Sequence, residues 1–346
     1  MMQMDMFDKM IIARLMENCR ESYRSIARKL QVTCPTIAYR VQRLRQLGVI
    51  QRFVAEISQM SLGVDWLFAE LHAGKNTSKL QILKAFESNP CIGDALIMGK
   101  NRYLVFSEVY PEERNRFVSC LKEMEGIDYI ELSDLHQLCT HKRTGRCRYT
   151  TQGERVAFSP SEIDILRLLI KNARVPIKTL ADSTGYNSKT IRRYLHKFCQ
   201  SDGVYMTIKL NLTQCGHINF ILKTWLTDAG INPQESADWV AGRYPEEHWF
   251  SFFATRSDCV IHYMTVRYPN DINAIVNEVI KHPDVDDVEA GMIYSMYKSN
   301  GRAEEFLQRC AGGLRGLALT RAPEQMNKGR QEEKDWILES DLHSDL

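Results

Sequence analysis

No apolar run in the 346 residues approaches the ~20 needed to cross a bilayer, and the N-terminus lacks the apolar core of a signal peptide. A cytoplasmic protein with no membrane partner is therefore expected. A dense cysteine framework is also missing: ten Cys lie scattered along the chain, which fits reduced thiols better than disulfides. No Ser/His/Asp or paired-carboxylate constellation stands out, so hydrolytic chemistry has no foothold, and no cofactor is expected. Net charge is small, +2, and excludes little. What is present, 44% hydrophobic and 25% charged residues, suits a soluble globular chain with room for two or more cored domains.

The charge is unevenly spread. Residues 9 to 52 hold ten Lys/Arg against two Asp/Glu, and 53 to 135 hold eight against thirteen, which implies a basic head on an acidic body. Within the head, Thr33 to Ile50 reads as a helix with Thr33 as N-cap, Pro35 in the first turn, Gly48 as the stop, and the first strand of a wing beyond. Ile37, Val41 and Leu44 make a buried stripe, which leaves Thr36, Tyr39, Arg40 and Arg43 to face outwards. Helices at about Asp5 to Asn18 and Ser22 to Leu30 precede it, in the order of a helix-turn-helix whose last helix enters a DNA groove.

The stretch FDKMIIARLMENCRESYRSIARKLQVTCPTIAYRVQRLRQLGVIQ resembles the N-terminal domain of the Lrp/AsnC regulators, from Asp8 through R-V-x-R-L (Arg40 to Leu44) to Gly48-Val49-Ile50. It departs at Cys34-Pro35, where the family usually places its Pro one residue earlier. The resemblance implies double-stranded DNA as partner and a sensor domain of RAM type after the head. Two strands flank a helix from Trp66 to Met98, and a strand, a helix and a strand follow from Tyr103 to Leu135, which is the βαββαβ order of a ferredoxin-like unit.

A shift of 154 residues lays Asn18 on Asn172, Arg20 on Arg174, Ala27 on Ala181, Thr36 on Thr190 and Ile37 on Ile191, the mark of a duplicated unit. The second recognition helix, Ser188 to Gln200, offers Lys189, Arg192, Arg193 and Lys197 outwards, and a second βαββαβ programme runs from His217 to Tyr297. The fold class expected is thus α+β, two winged helix-turn-helix domains alternating with two ferredoxin-like domains. Boundaries fall at 1–52, 53–135, a basic linker 136–158, 159–204, 205–298, and a tail 299–346 without a sustained apolar stripe, read as disordered. With two sensors, the chain can pair with itself as a pseudo-dimer, Leu67, Ala69 and Leu71 covering Phe250, Phe252 and Ala254, although a homo-oligomer stays open. Because Tyr39 and Arg40 are matched by Arg193 and Tyr194, the heads are expected to read an imperfect palindrome.

The candidate DNA contacts are Thr33, Thr36, Tyr39, Arg40 and Arg43 in the first head and Ser188, Lys189, Arg192, Arg193 and Lys197 in the second. The resemblance implies a small effector, such as an amino acid or another metabolite, near the turns holding Gly99 and Asn101 and holding Asp258; a plain hairpin turn explains the same residues. His136, Cys139, His141 and Cys147 could bind a metal, though their spacing fits no standard knuckle and a solvated basic linker is the alternative. An enzyme like the siroheme decarboxylases, which share this architecture, is the other class of function, with His217, His248 and His262 as the residues to watch.

Overall fold

The computed structural model describes residues 4–89, 91–138, 155–227, 231–298 and 302–312. Helix α1 (Met6–Glu17) starts in a capping box: Asp5 accepts from the Asp8 backbone N–H, and the Asp8 carboxylate accepts from that of Asp5. Ser22 caps α2 (Tyr23–Leu30) and Thr33 caps α3 (Cys34–Gln46). Gly48, at φ +78°, takes a left-handed conformation that a β-carbon would strain, and it turns the chain into β1 (Ile50–Ile57).

A single turn, α4 (Gln59–Leu62), leads into the first sensor: β2 (Asp65–Ala73), α5 (Lys79–Ser88), β3 (Ile92–Met98), β4 (Arg102–Val109), α6 (Arg114–Lys122) and β5 (Ile127–Leu138). The second copy runs α7 (Pro160–Leu169), α8 (Ile177–Thr184), α9 (Ser188–Gln200) and β6 (Val204–Leu210), then β7 (Ile218–Leu226), α10 (Pro233–Arg243), β8 (His248–Ala254), β9 (Cys259–Val266), α11 (Pro269–Val279) and β10 (Val285–Lys298).

Both sensor sheets have the ferredoxin-like order, β3-β4-β2-β5 and β8-β9-β7-β10, and they join edge to edge through β5–β8 and β10–β3 into one closed eight-stranded barrel. Strand β5 runs past the expected Leu135 to Leu138 because its end pairs with β8, Leu135 opposite Ala254 and Leu138 opposite Ser251. Inside the barrel Trp66, Phe68 and Phe106 meet Phe252, Ile261 and Tyr263. The Trp66 and Phe252 rings cross edge to face at 5.3 Å, and Phe106 lies 5.5 Å from Phe252.

The expected contact face of the first sensor is therefore off by one residue. Leu67, Ala69 and Leu71 point to the outer face, against Ile82, Phe86, Phe117 and Leu121 of α5 and α6, and it is Trp66 and Phe68 that meet Phe252 and Ala254. The wing strands of the two heads pair with each other. β1 pairs antiparallel with β6 from Ile50 opposite Leu210 to Ile57 opposite Val204, so the two heads share one two-stranded ribbon.

Part of the stretch expected to lack order is helical. In α12 (Ala303–Gly312), Phe306 and Leu307 are buried, and the Phe306 ring meets Phe158 just ahead of α7. Arg302 anchors the helix to the first sensor by donating to Glu113 at 2.7 Å and to the Glu108 carbonyl at 3.2 Å. Of the candidate metal ligands, His136 sits in β5 opposite Phe253, and Cys139, His141 and Cys147 fall outside the described residues.

Candidate nucleic-acid interface

The recognition helices bury the stripes read from the sequence, Ile37, Val41 and Leu44 in α3 and Ile191, Leu195 and Phe198 in α9. At the start of α3 the Thr33 hydroxyl accepts from the Thr36 N–H at 3.3 Å and lies 2.8 Å from the Thr36 hydroxyl, and Tyr39 is 63% exposed. Arg40 and Arg43 are turned elsewhere. Arg40 donates to both Asp5 oxygens at 2.8 Å and to Asp8 at 3.0 Å, and Arg43 donates to the other Asp8 oxygen, leaving their side chains 23% and 16% exposed.

The reason is the capping box of α1. Asp8 is fully buried there, and a buried carboxylate needs a counter-charge, which the two arginines supply from α3. The Asp5 carboxyl is part of the same cluster: its burial favours the neutral form, but the hydrogen bonds from Arg40 and the Asp8 N–H, with the Arg40 charge, together outweigh that and lower its pKa.

The second head repeats this fastening with other residues. Glu162 occupies the capping-box position of α7, buried, and Lys197 of α9 reaches it at 2.6 Å. The shift of 154 that relates the heads lays Asp8 on Glu162 and Arg43 on Lys197, so this cation ties the recognition helix to the first helix in both copies. Lys197 keeps 56% of its side chain exposed. Among the described residues nothing of the kind holds Lys189 and Arg192, which are exposed with Ser188, and exposed Arg193 lies over the ring of its neighbour Tyr194, 5.2 Å from the centroid. Asn187, one residue before Ser188, caps the helix by accepting from the Thr190 N–H at 2.8 Å.

The two heads brace each other reciprocally. Arg20 donates to the carbonyls of Ala173 and Val175, and its counterpart Arg174 donates to those of Cys19 at 2.6 Å and Glu21 at 3.0 Å. Backbone bonds repeat the exchange, Cys19 N–H to Met206 C=O at 2.8 Å and Ala173 N–H to Phe53 C=O at 2.9 Å. A guanidinium offers several donors in a fixed plane, so one residue can hold two carbonyls of the opposite head. With the ribbon, these bonds fix one recognition helix relative to the other. The Asn18/Arg20 and Asn172/Arg174 matches were the visible signal, although a repeat alone does not say that the two copies touch.

The turns proposed for an effector serve the hairpins. Asn101 and Asp258 have φ +56° and +46°, and their carbonyls accept from Ala73 at 2.9 Å and Leu226 at 3.2 Å at matching places in the two sensors, while Gly99 lies against Tyr294.

The histidines of the second sensor are placed as follows. His248 Nε2 lies 2.8 Å from the Ser251 hydroxyl, which lies 2.8 Å from His262 Nδ1, and His262 Nε2 is 3.2 Å from the Thr224 hydroxyl, all four residues buried. Burial lowers the pKa of half-buried His217 and pushes His262 down to about 3. Between that value and the ordinary 6.5 the unfolded chain takes up a proton at His262 that the folded chain refuses. This contribution to stability is complete above the upper value and falls as the pH drops through the window, by up to about 1.4 kcal/mol per pH unit. In urea unfolding between pH 6.5 and 4, His262→Asn is expected to flatten this fall; parallel curves would show that His262 does not carry it. Among the described residues no group of three His, Cys, Asp or Glu is placed to hold a metal, and no helix is long and apolar enough to cross a membrane.

Comparison with known proteins bears on both heads. Residues 4–45 match the AsnC-type helix-turn-helix domain, and 158–202 match a winged helix-turn-helix DNA-binding domain. An uncharacterized HTH-type transcriptional regulator of Pyrococcus furiosus is 30% identical over 131 residues, 37% of this chain and 87% of the relative. The HTH-type transcriptional regulator LrpC of Bacillus subtilis is 33% identical over 63 residues, 18% of this chain and 44% of the relative. Among solved structures, the siroheme decarboxylase NirDL aligns over 89% of this chain and 99% of its own with a TM-score of 0.57 and 11% identity, a likeness of fold alone. The AsnC-type sequence of the first head, the second helix-turn-helix and the coverage of a single-unit regulator together place the chain in the Lrp/AsnC family of transcription regulators, with two heads in one chain.

Proposed function

We propose that the protein is a cytoplasmic, sequence-specific regulator that lays its two unlike heads on one stretch of double-stranded DNA. The observation that carries this reading is the row of exposed cations at the start of α9, Lys189, Arg192 and Arg193, on a head locked to its counterpart. In this reading Ser188 and those three residues contact phosphate and base edges, and Thr33, Thr36 and Tyr39 do so from the first head. Arg40, Arg43 and Lys197 hold the helices in place. The heads differ where they meet DNA, so the preferred site is an imperfect palindrome whose half-sites keep one spacing, about one helical turn. A small metabolite such as an amino acid acts through the turns of Gly99 and Asn101 and of Asp258, and a single chain supplies both sensors of the pair.

Selection of bound sites from random DNA with the full chain, at stated salt, tests the reading. Two different half-sites at constant separation are expected, and recovery of DNA without any shared motif would sink it. The likeness of fold to a siroheme decarboxylase supports a second reading, an enzyme acting on a tetrapyrrole. Against it, His248 and His262 are engaged in a buried chain with Ser251 and Thr224. An absorbance spectrum taken with an iron porphyrin separates the two, since only the second reading expects a bound tetrapyrrole.

A further inference from the structure

The two sensors are related by a shift of 153 in β2 and β7: Ala73 and Leu226, which donate to the equivalent hairpin turns, differ by that amount. The same shift takes Val54 to Thr207, which face each other in the ribbon, so an approximate two-fold axis passes between them. It also takes Glu70 to Lys223. These two touch inside the barrel, a carboxylate and an ammonium in contact, 3% and 6% exposed. Equivalent residues in contact lie on the axis, and here the two copies carry opposite charge.

The surroundings fit that placement. Arg102 of β4 donates to Glu70 at 2.8 Å and to Glu289 of β10, and His72 lies 3.1 Å from Glu70. Burial by itself would push the Glu70 carboxyl up, and Lys223 with Arg102 overcomes this and holds it below the ordinary carboxylate value. Two first sensors joined in the same way would bring Glu70 against Glu70, and two second sensors Lys223 against Lys223. Like charges in contact out of water cannot both stay ionised.

We propose that Glu70 and Lys223 decide which sensor pairs with which: each barrel face accepts a sensor unit of opposite axial charge and rejects a copy of itself. The partner that fits the first sensor is a unit presenting a buried cation at the axis, which this chain carries in its own second half. Exclusion of like pairs is the element that turns an attractive face into a selective one.

The test uses the full chain with Lys223→Glu, with Glu70→Lys, and with both. Each single change is expected to lower the melting midpoint by about 5 °C or more, or to prevent folding alone. The double change should recover part of the loss, because positions 70 and 223 again carry opposite charges, although a lysine at 70 then faces Arg102 in place of the carboxylate to which Arg102 donates. Co-expressed with different tags, the two single variants should form a soluble two-chain complex at twice the 40.0 kDa chain mass, the anionic faces of one meeting the cationic faces of the other. Two differently tagged parent chains should give less of it, since each closes its own barrel. The proposal is overturned if the single variants melt with the parent, if the double is no better than the poorer single, or if the mixed variants associate no more than the parent chains do.

Discussion

Replacing Asp8 by Ala is expected to destabilise the first head by about 3–5 kcal/mol, the range for removing one partner of a buried charge pair. The Asp8 carboxylate accepts from Arg40, Arg43 and the Asp5 N–H at once, and its loss leaves Arg43, 16% exposed, facing the interior without its counter-charge. Arg40 keeps Asp5. Urea unfolding followed by circular dichroism measures the effect, and a loss under about 1 kcal/mol, typical of a surface pair, would mean that solvent reaches the cluster freely. The same geometry predicts that Arg43→Ala also weakens the fold. Read as an outward residue, Arg43 could be removed without harm, so any drop in DNA affinity of such a variant has to be compared with its folded fraction.

The second large effect is expected at α9. Arg192→Ala with Arg193→Ala should weaken DNA binding on the order of 10- to 100-fold near 0.1 M salt and reduce the slope of log affinity against log salt by about two, one for each phosphate that is no longer neutralised. Stability should change by no more than about 0.5 kcal/mol, since both side chains are exposed and neither has an ion pair among the described residues. An unchanged slope with an unchanged fold would remove α9 from the interface. The pair of experiments separates two kinds of cation on a recognition helix: those that hold it and those left for a partner.

The helix-turn-helix was legible because its signals are local. Thr33 and Gly48 mark the ends of α3, and Ile37, Val41 and Leu44 mark its inner side. The direction of Arg40 and Arg43 was not, because their partners lie on another helix, 32 to 35 residues earlier in the chain, and periodicity reports only which side of a helix is apolar. A usable clue existed: an acidic residue at the capping-box position in both copies, Asp8 and Glu162, with a cation at the same distance after it, Arg43 and Lys197.

Strand β2 shows a different limit. In DWLFAELHA the central residues are buried on both faces, one under helices and one inside the barrel, so no alternation says which set faces the other sensor. The seams β5–β8 and β10–β3 join residues far apart in sequence, and neither leaves a local mark beyond the three extra residues of β5. Helix α12, ten residues long and tied down through Arg302, was too short to stand out from a polar tail.

Closure of the barrel has a bearing on how the molecule avoids sticking to others. An open ferredoxin-like sheet ends in two strands whose outer N–H and C=O groups are unsatisfied, and such borders are templates for aggregation or for a foreign strand. Here the border strands cross from one sheet to the other: β5 pairs with β2 over 127–134 and with β8 over 135–138, and β10 pairs with β7 over 285–293 and with β3 over 293–298, so the borders are capped over part of their length. The outer sides of β1 and β6 are met in part by the heads, Phe53 C=O accepting from the Ala173 N–H and Met206 C=O from that of Cys19. Among the described residues, a peptide recruited by strand addition would therefore find open border on the sensors, along 127–134 of β5 and 285–292 of β10, which pair on one side alone.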